Sequence, residues 1–503
     1  MSKRTRLISE LNDAYDSLGD GEIPLLSNSV ENLCNKLSKV EVYIQQSAHA
    51  KKNRKRVREL SETTWKHAND IRDSQCNALV DTLLHSQPGD GLPPGHLAPT
   101  EDAQPPRLDI AKTIGELFAG CGGFAQAAHI CGAKVSYFAE NNVEARQVYL
   151  QCKWATSEHL VGDDGDVNTI ETLPYVHMLT AGPPCTQHST LGKIKGFDNE
   201  RIGCLVFETI RLINLSKPDC ALIENVANFA STTYKGVSCL KLVECAMNRI
   251  GWHVASHIIN SLQVGVPQSR NRLYLACFRR KGHYEKYLNL LDDSTSPLRR
   301  ALRRIDTGIR DILEPNVSTM SHPDLFVSPA KLKKKSWSNR KYSVYTMDSN
   351  APVGCLTAGY ANDGFNSTYI CRVTKKDLGI PSSHSGLLNS SQYGNIGIWK
   401  FTDQELHKIM GYPQTLAWVN GRKNHRSRLL GNSIVPPVVA PIMMNMYEAI
   451  GFPRDTTYDE NWSTSNTHRV DDTQDTYFSH FTKDQFGVDI HVFKSHDDPR
   501  HKE

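Results

Sequence analysis

The sequence predicts an α/β chain with a doubly wound, Rossmann-like sheet, a smaller irregular or β-type domain and a helical N-terminal extension. Three observations carry this expectation. Short apolar runs alternate with helical stretches from Lys112 to Phe278, the pattern of parallel strands joined by helical crossovers. A glycine turn, Gly120-Cys121-Gly122-Gly123, joins the first apolar run to the first helix. From about Arg279 to Gly397 the alternation is lost, and proline, serine and basic residues become frequent.

Residues 1–86 read as mostly helical, with Leu33, Leu37, Val40 and Tyr43 close to a helical stripe. Lys51, Lys52, Arg54, Lys55, Arg56 and Arg58 form a basic run that suits a solvated helix face and a nucleic-acid contact equally well. Residues 87–109 are a linker: Gln87 to Pro106 holds six prolines and three glycines. The catalytic and cofactor-binding domain is expected over 110–279. Its strands are Thr113–Phe118, Lys134–Ala139, Val176–Ala181, Cys220–Ile223 and Arg272–Phe278, and its helices include Phe124–Ile130 and Leu205–Leu215. Residues 280–397 form the smaller domain. Residues 398–452 return to the first domain, with a helix over Asp403–Met410 and a final helix to Ile450. Residues 453–503, rich in Asp, Thr, Ser and His, are expected to be disordered.

A chain of 503 residues exceeds what one core usually holds. Its net charge of +4 is too small to indicate a partner, so any nucleic-acid argument must come from local clusters. Thirteen cysteines without a Cys-x-x-Cys pair argue against a zinc ribbon, a redox pair or a disulfide framework, and no metal is expected. These thiols suit a reducing compartment, cytoplasmic (a bacterial nucleoid) or nuclear rather than secreted. No run of eighteen apolar residues and no signal sequence is visible, so no membrane is expected.

The chemistry-bearing residues fall at strand ends. In doubly wound sheets ligands bind beyond the carboxyl ends of the strands. The glycine turn, Glu140, Cys185 and Glu224 all fall there. Cys185, in Gly182-Pro183-Pro184-Cys185, is a nucleophile if its thiolate is favoured, or else a buried inert thiol. Glu224, in Glu224-Asn225-Val226, is an acid that a dry pocket would keep protonated, or else a capping carboxylate. Glu140 suits ribose hydroxyls, and Asp166, in Gly165-Asp166-Val167, suits an adenine amino group; both could equally be helix caps. Gln268-x-Arg270-x-Arg272 places two cations on one strand face, fit for an anion or a carbonyl oxygen, or for a solvated edge. The glycine turn alone does not exclude a dinucleotide.

Taken together, the chain resembles the DNA (cytosine-5) methyltransferase family over roughly residues 110 to 450. The resemblance rests on Glu116-Leu117-Phe118-Ala119-Gly120-Cys121-Gly122-Gly123, Gly165-Asp166-Val167, Pro183-Pro184-Cys185, Glu224-Asn225-Val226, Gln268-Ser269-Arg270-Asn271-Arg272 and Gly431-Asn432-Ser433-Ile434-Val435-Pro436-Pro437, in the family's order. It implies a methyl transfer from S-adenosylmethionine to carbon 5 of a cytosine flipped out of double-stranded DNA. Cys185 would attack carbon 6, Glu224 would protonate ring nitrogen 3, Arg272 would contact the carbonyl oxygen and Arg270 would support the site. Phe118, Gly120, Gly122, Glu140, Asp166, Leu205 and Asn432 would hold the cofactor. The segment 186–201 resembles the family's mobile loop, whose Lys193 and Lys195 would meet phosphate. The smaller domain resembles the target recognition domain, with Lys333, Lys334, Lys335 and Trp337 near DNA.

Three positions depart from the family pattern: Thr186 follows the cysteine, Glu116 replaces an aspartate, and Thr402-Asp403-Gln404-Glu405 lacks an arginine. An RNA-directed relative is expected to have a shorter recognition segment, and a purely binding relative has no need of a nucleophile beside an acid. The N-terminal helices suit a dimer or a DNA contact.

Overall fold

The computed structural model describes residues 76–80, 111–184, 205–234, 237–302, 307–334, 342–360, 367–413, 423–454, 477–483 and 489–494. The chain opens its sheet with β1 (Thr113–Leu117), followed by α1 (Gly123–Ile130), β2 (Lys134–Ala139), α2 (Val143–Gln151), β3 (Met178–Ala181), α3 (Leu205–Ser216) and β4 (Cys220–Val226). A two-stranded hairpin, β5 (Thr233–Tyr234) with β6 (Val237–Ser238), leads into α4 (Cys239–Arg249), β7 (His253–Asn260) and β8 (Asn271–Phe278). The central strands are buried along nearly their whole length, as strands covered on both faces must be.

The sheet order is β14 (Tyr477–Lys483), β15 (Asp489–Lys494), β7, β8, β4, β3, β1, β2. β2, β1, β3 and β4 run parallel. β8 runs antiparallel to both β4 and β7, which corrects the expectation of a wholly parallel sheet. The reversal matters for the site. It brings the first residues of β8 to the edge where the parallel strands end, with Arg272 opposite Val226 and Asn271 opposite Asn260. β7 is an additional strand that the pattern hides, because His253, Ser256, His257 and Asn260 interrupt its apolar residues.

Helices cover both faces. One core joins Phe124 and Ala128 of α1 to Tyr287, Leu290 and Leu291 of α5 (Lys281–Asp292), to Leu298 of α6 (Pro297–Ala301), and to residues further along the chain. The other joins Phe207 and Ile210 of α3 to Leu240 and Val243 of α4. Cys76 and Val80 of the helical stretch 76–80 pack into this second core, so part of the N-terminal extension docks on α4. The rest of that extension lies outside the described residues.

The boundary at residue 280 needs correction. α5 and α6 belong to the main core, because Tyr287, Leu290 and Leu291 repeat at helical spacing and face it. The separate small sheet begins at β9 (Phe326–Val327) and continues with β10 (Tyr342–Thr346), β11 (Ser367–Cys371), β12 (Leu387–Leu388) and β13 (Ile398–Trp399), in the order β12-β10-β11-β13-β9. Its own core holds Val327, Val344, Tyr369, Leu388 and Ile398.

The chain then returns to the main core through α7 (Asp403–Met410), α8 (Lys423–Asn432) and α9 (Pro436–Ala449). Thr402 and Glu405 form a reciprocal capping box that starts α7. The stretch Arg426–Ala449 is long and apolar enough to cross a membrane, but 94% of its 18-residue apolar window is buried here as core. The segment after residue 453 is not structureless throughout: β14 (Tyr477–Lys483) and β15 (Asp489–Lys494) pair with each other, and β15 adds parallel to β7. Ile490, Val492 and Phe493 carry strand propensity that the polar composition around them obscures.

Candidate active site

One cavity of about 590 Å³ sits at the carboxyl edge of β1–β4, within the size range of small-molecule sites. Phe118, Gly120, Glu140, Asp166, Leu205 and Asn432 line it, and so do Glu224, Arg270 and Arg272. Residues that sequence reasoning assigned to two ligands therefore share one chamber. Gly182, Pro183 and Pro184 also line it, which leads the chain into Cys185. Cys185 itself lies outside the described residues, as do Lys193, Lys195, Lys335 and Trp337. Lys333 and Lys334 are exposed and follow a short helix, Pro329–Leu332, of the small-sheet unit.

The cofactor-type residues are organised by backbone. Gly120 donates its N–H to Oε2 of Glu140 at 2.7 Å, and Asn142 donates to Oε1 at 2.7 Å. These bonds fix the Glu140 carboxylate at the end of β2. Burial raises its pKa, and the two backbone N–H groups and Arg146 only partly offset that. Gly165 sits at φ +81°, where a Cβ would meet the carbonyl oxygen of Glu140 at 2.3 Å. Only glycine permits that approach, and it sets Asp166 beside Glu140. Oδ1 of Asp166 accepts from the backbone N–H of Asn168 at 3.0 Å and from its side-chain Nδ2 at 2.7 Å. Phe118 holds a positive φ of 56°. Gly122 is not on the cavity wall: a Cβ there would strike Trp154 at 2.4 Å, so its role is to admit that ring.

The acid and the arginines form a second cluster. Nε of Arg272 lies 3.0 Å from Oε1 of Glu224, with both side chains mostly buried. The contact pairs the charges, but Oε1 has no hydrogen bond of good geometry among the described residues. Burial raises the pKa of Glu224, and Arg272 and Arg270 offset this only in part. The group is thus a buried carboxyl that gives up its proton less readily than one in water. Arg270 is almost fully buried. Its Nη1 donates to the carbonyl of Leu356 at 2.9 Å and its Nη2 to that of Ser433 at 2.6 Å, with longer bonds to Gly431. It ties the start of β8 to two loops that no local pattern joins.

Sequence reasoning missed Glu116 as a site residue. It is fully buried on the cavity wall and accepts from the Tyr149 hydroxyl at 2.8 Å through Oε2. Burial pushes its pKa up to about 8, against hydrogen bonds from Tyr149 and from the Phe124 and Ala125 backbone. The signal was an acid inside an apolar strand. Ser433, on the cavity wall, and Tyr412, bonded to it at 2.5 Å, carried no such signal.

The fold and this chamber define an α/β enzyme that places a small-molecule pocket against an acid–arginine centre. The profile of the C-5 cytosine-specific DNA methylases matches residues 112–448. The type II methyltransferase M.HhaI of Haemophilus parahaemolyticus is 28% identical over 344 residues, covering 67% of this chain and 94% of the relative. The type II methyltransferase M.Bsp6I of Bacillus sp. (strain RFL6) is 26% identical, covering 67% and 99%. The solved structure of the Entamoeba histolytica methyltransferase EhMeth matches with a TM-score of 0.50 at 17% identity, covering 67% of this chain and 98% of that one, and supports the fold alone. This chain belongs to the C-5 cytosine-specific DNA methylase family. It is a DNA (cytosine-5) methyltransferase.

Proposed function

We propose that the chamber binds S-adenosylmethionine and a cytosine flipped out of double-stranded DNA, and that Cys185 forms a transient bond to carbon 6 of that base. The observation that carries the reading is the shared cavity: Glu140 and Asp166 on one side, Glu224 and Arg272 on the other, and Pro183-Pro184 leading to Cys185. The cofactor suits these residues. Two acids on the wall of a cavity of suitable size, both anchored by backbone N–H groups, match the hydroxyls and amino group of an adenosine. Phe118, Gly120, Leu205 and Asn432 line the remaining wall. When bound, S-adenosylmethionine supplies the methyl group that carbon 5 takes.

The protein's part is to make carbon 5 reactive. A base inside a duplex is out of reach, so the cytosine must leave the stack. Attack by the Cys185 thiolate on carbon 6 pushes electrons toward ring nitrogen 3. Protonated Glu224 donates there, and Arg272 steadies the developing charge on the carbonyl oxygen. Once carbon 5 carries the methyl group, a water molecule takes the carbon-5 proton, β-elimination returns the free thiolate, and ring nitrogen 3 gives its proton back to Glu224. Arg270 holds Arg272's strand in place. Lys193, Lys195, Lys333, Lys334, Lys335 and Trp337 are proposed DNA contacts.

Bisulfite sequencing of DNA from cells expressing the chain tests the activity and its target together. Protected cytosines recurring at one short sequence are expected. Full conversion, with the protein present and folded, would overturn the reading.

A further inference from the structure

Cys355 lies on the connection between β10 and β11 of the small sheet, yet its side chain reaches the acid–arginine centre. Its Sγ is 3.7 Å from Nη1 of Arg270 and 3.9 Å from Nη2 of Arg272, within the reach of N–H···S contacts. The connection carrying it is firmly anchored. Val353 exchanges backbone bonds with the segment before β8, donating to Pro267 at 2.9 Å and accepting from Ser269 at 2.8 Å. The side chain of Gln268 accepts from the Leu356 N–H at 2.8 Å and donates to the Ile409 carbonyl at 2.9 Å. Gly354 donates to Thr368 Oγ1 at 3.0 Å, which binds the same segment to the start of β11.

We propose that Cys355 is a positioning residue for methyl transfer: its sulfur accepts from both guanidiniums and holds Arg272 at the angle that serves Glu224 and the base. The inference rests on the role given above to Arg272. The geometry supports it from three directions. Nε of Arg272 faces Glu224, Nη1 donates to the Asn271 carbonyl at 2.7 Å, and Nη2 faces the sulfur. A planar guanidinium held at all three nitrogens has little freedom to swing. Arg270, already bonded to Leu356, Gly431 and Ser433, fixes the sulfur from the other side. Burial alone would raise the pKa of this thiol, but the two guanidiniums more than offset it and leave it below the ordinary value. The two guanidiniums therefore favour negative charge on this sulfur more than water does. Because the connection is bonded both to the segment before β8 and to Thr368 of β11, Cys355 also couples the small sheet to Arg272.

The test is steady-state methylation of duplex DNA by the wild type, Cys355→Ala and Cys355→Ser, with unfolding midpoints measured alongside. Removing the acceptor should lower kcat about ten-fold, the scale expected for losing two long N–H···S contacts to charged groups that orient a reacting site. The KM for S-adenosylmethionine and the unfolding midpoint should stay at the wild-type values, because Cys355 is not on the cofactor wall. Serine, which keeps an acceptor, should recover most of the loss. The proposal is overturned if C355A turns over like the wild type, if C355S is as impaired as C355A, or if the loss of rate follows a loss of stability. An inactive wild type would instead overturn the reading of the site itself.

Discussion

Arg272 reaches Glu224, with Nε 3.0 Å from Oε1, because the strand that carries the arginine runs against the strand that carries the acid. In register, Arg272 stands opposite Val226 and Glu224 opposite Tyr274, so the ion pair is a diagonal contact on one face of neighbouring strands. The arrangement keeps a carboxyl buried and paired, with a pKa still raised above the ordinary carboxylate value by burial.

Glu224→Gln keeps the volume and one hydrogen-bond donor but removes the transferable proton. The expected loss is about 10²- to 10⁴-fold in kcat, the usual weight of a general acid. Cofactor affinity should be unchanged, and isothermal titration alongside single-turnover methylation checks both. For the wild type, rate should fall as pH rises through the raised pKa of Glu224, and E224Q should lose that limb.

Arg270 and Arg272 should separate in their effects. Arg270→Ala leaves the Leu356 and Ser433 carbonyls without this donor, at a cost of about 1–3 kcal/mol for each buried group left unsatisfied. Urea denaturation should show that loss. Arg272→Lys keeps the charge but not the fork that spans Glu224, Asn271 and Cys355. It should lower kcat while leaving the urea midpoint near wild type.

Glu116 predicts a pH-dependent stability. Its folded pKa is raised from 4.5 to about 8, so between those values the folded chain keeps a proton that the unfolded chain has lost. Stability should fall with rising pH across that window by about 1.4 kcal/mol per pH unit from this one group. Glu116→Gln should remove that slope. Chemical denaturation of both proteins at several pH values across that window measures the difference.

Lys333 and Lys334 are exposed on the small-sheet unit. If both meet phosphate, replacing them with alanine should weaken DNA binding. The plot of log K against log salt should also flatten, by about 0.9 for each phosphate that is no longer neutralised. Unchanged binding and slope would leave them as solvated surface.

Much of this was legible in the sequence where local chemistry decides the structure. β2 and α7 fall on their expected residues, since a β-branched and aromatic run and a capping box each carry their own boundary. Gly120, Glu140 and Glu224, expected at strand ends, line one cavity, because a parallel sheet places such ends along one edge. Strand direction is not a local property, so the reversal of β8 could not be read from Arg272–Phe278. The same limit hid Cys355 and Arg270's partners at Leu356 and Ser433, which are distant in sequence. α5 was missed for a different reason: basic and polar residues diluted the spacing of Tyr287, Leu290 and Leu291.

A covalent bond between Cys185 and the base is the step on which the whole mechanism turns. Duplex DNA carrying 5-fluorocytosine tests it directly, because fluorine at carbon 5 blocks the elimination that frees the enzyme. Incubation with S-adenosylmethionine should give a denaturation-resistant protein–DNA adduct with the wild type and none with Cys185→Ser, while that variant still binds the cofactor. An adduct formed by Cys185→Ser, or methylation retained by it, would contradict the account.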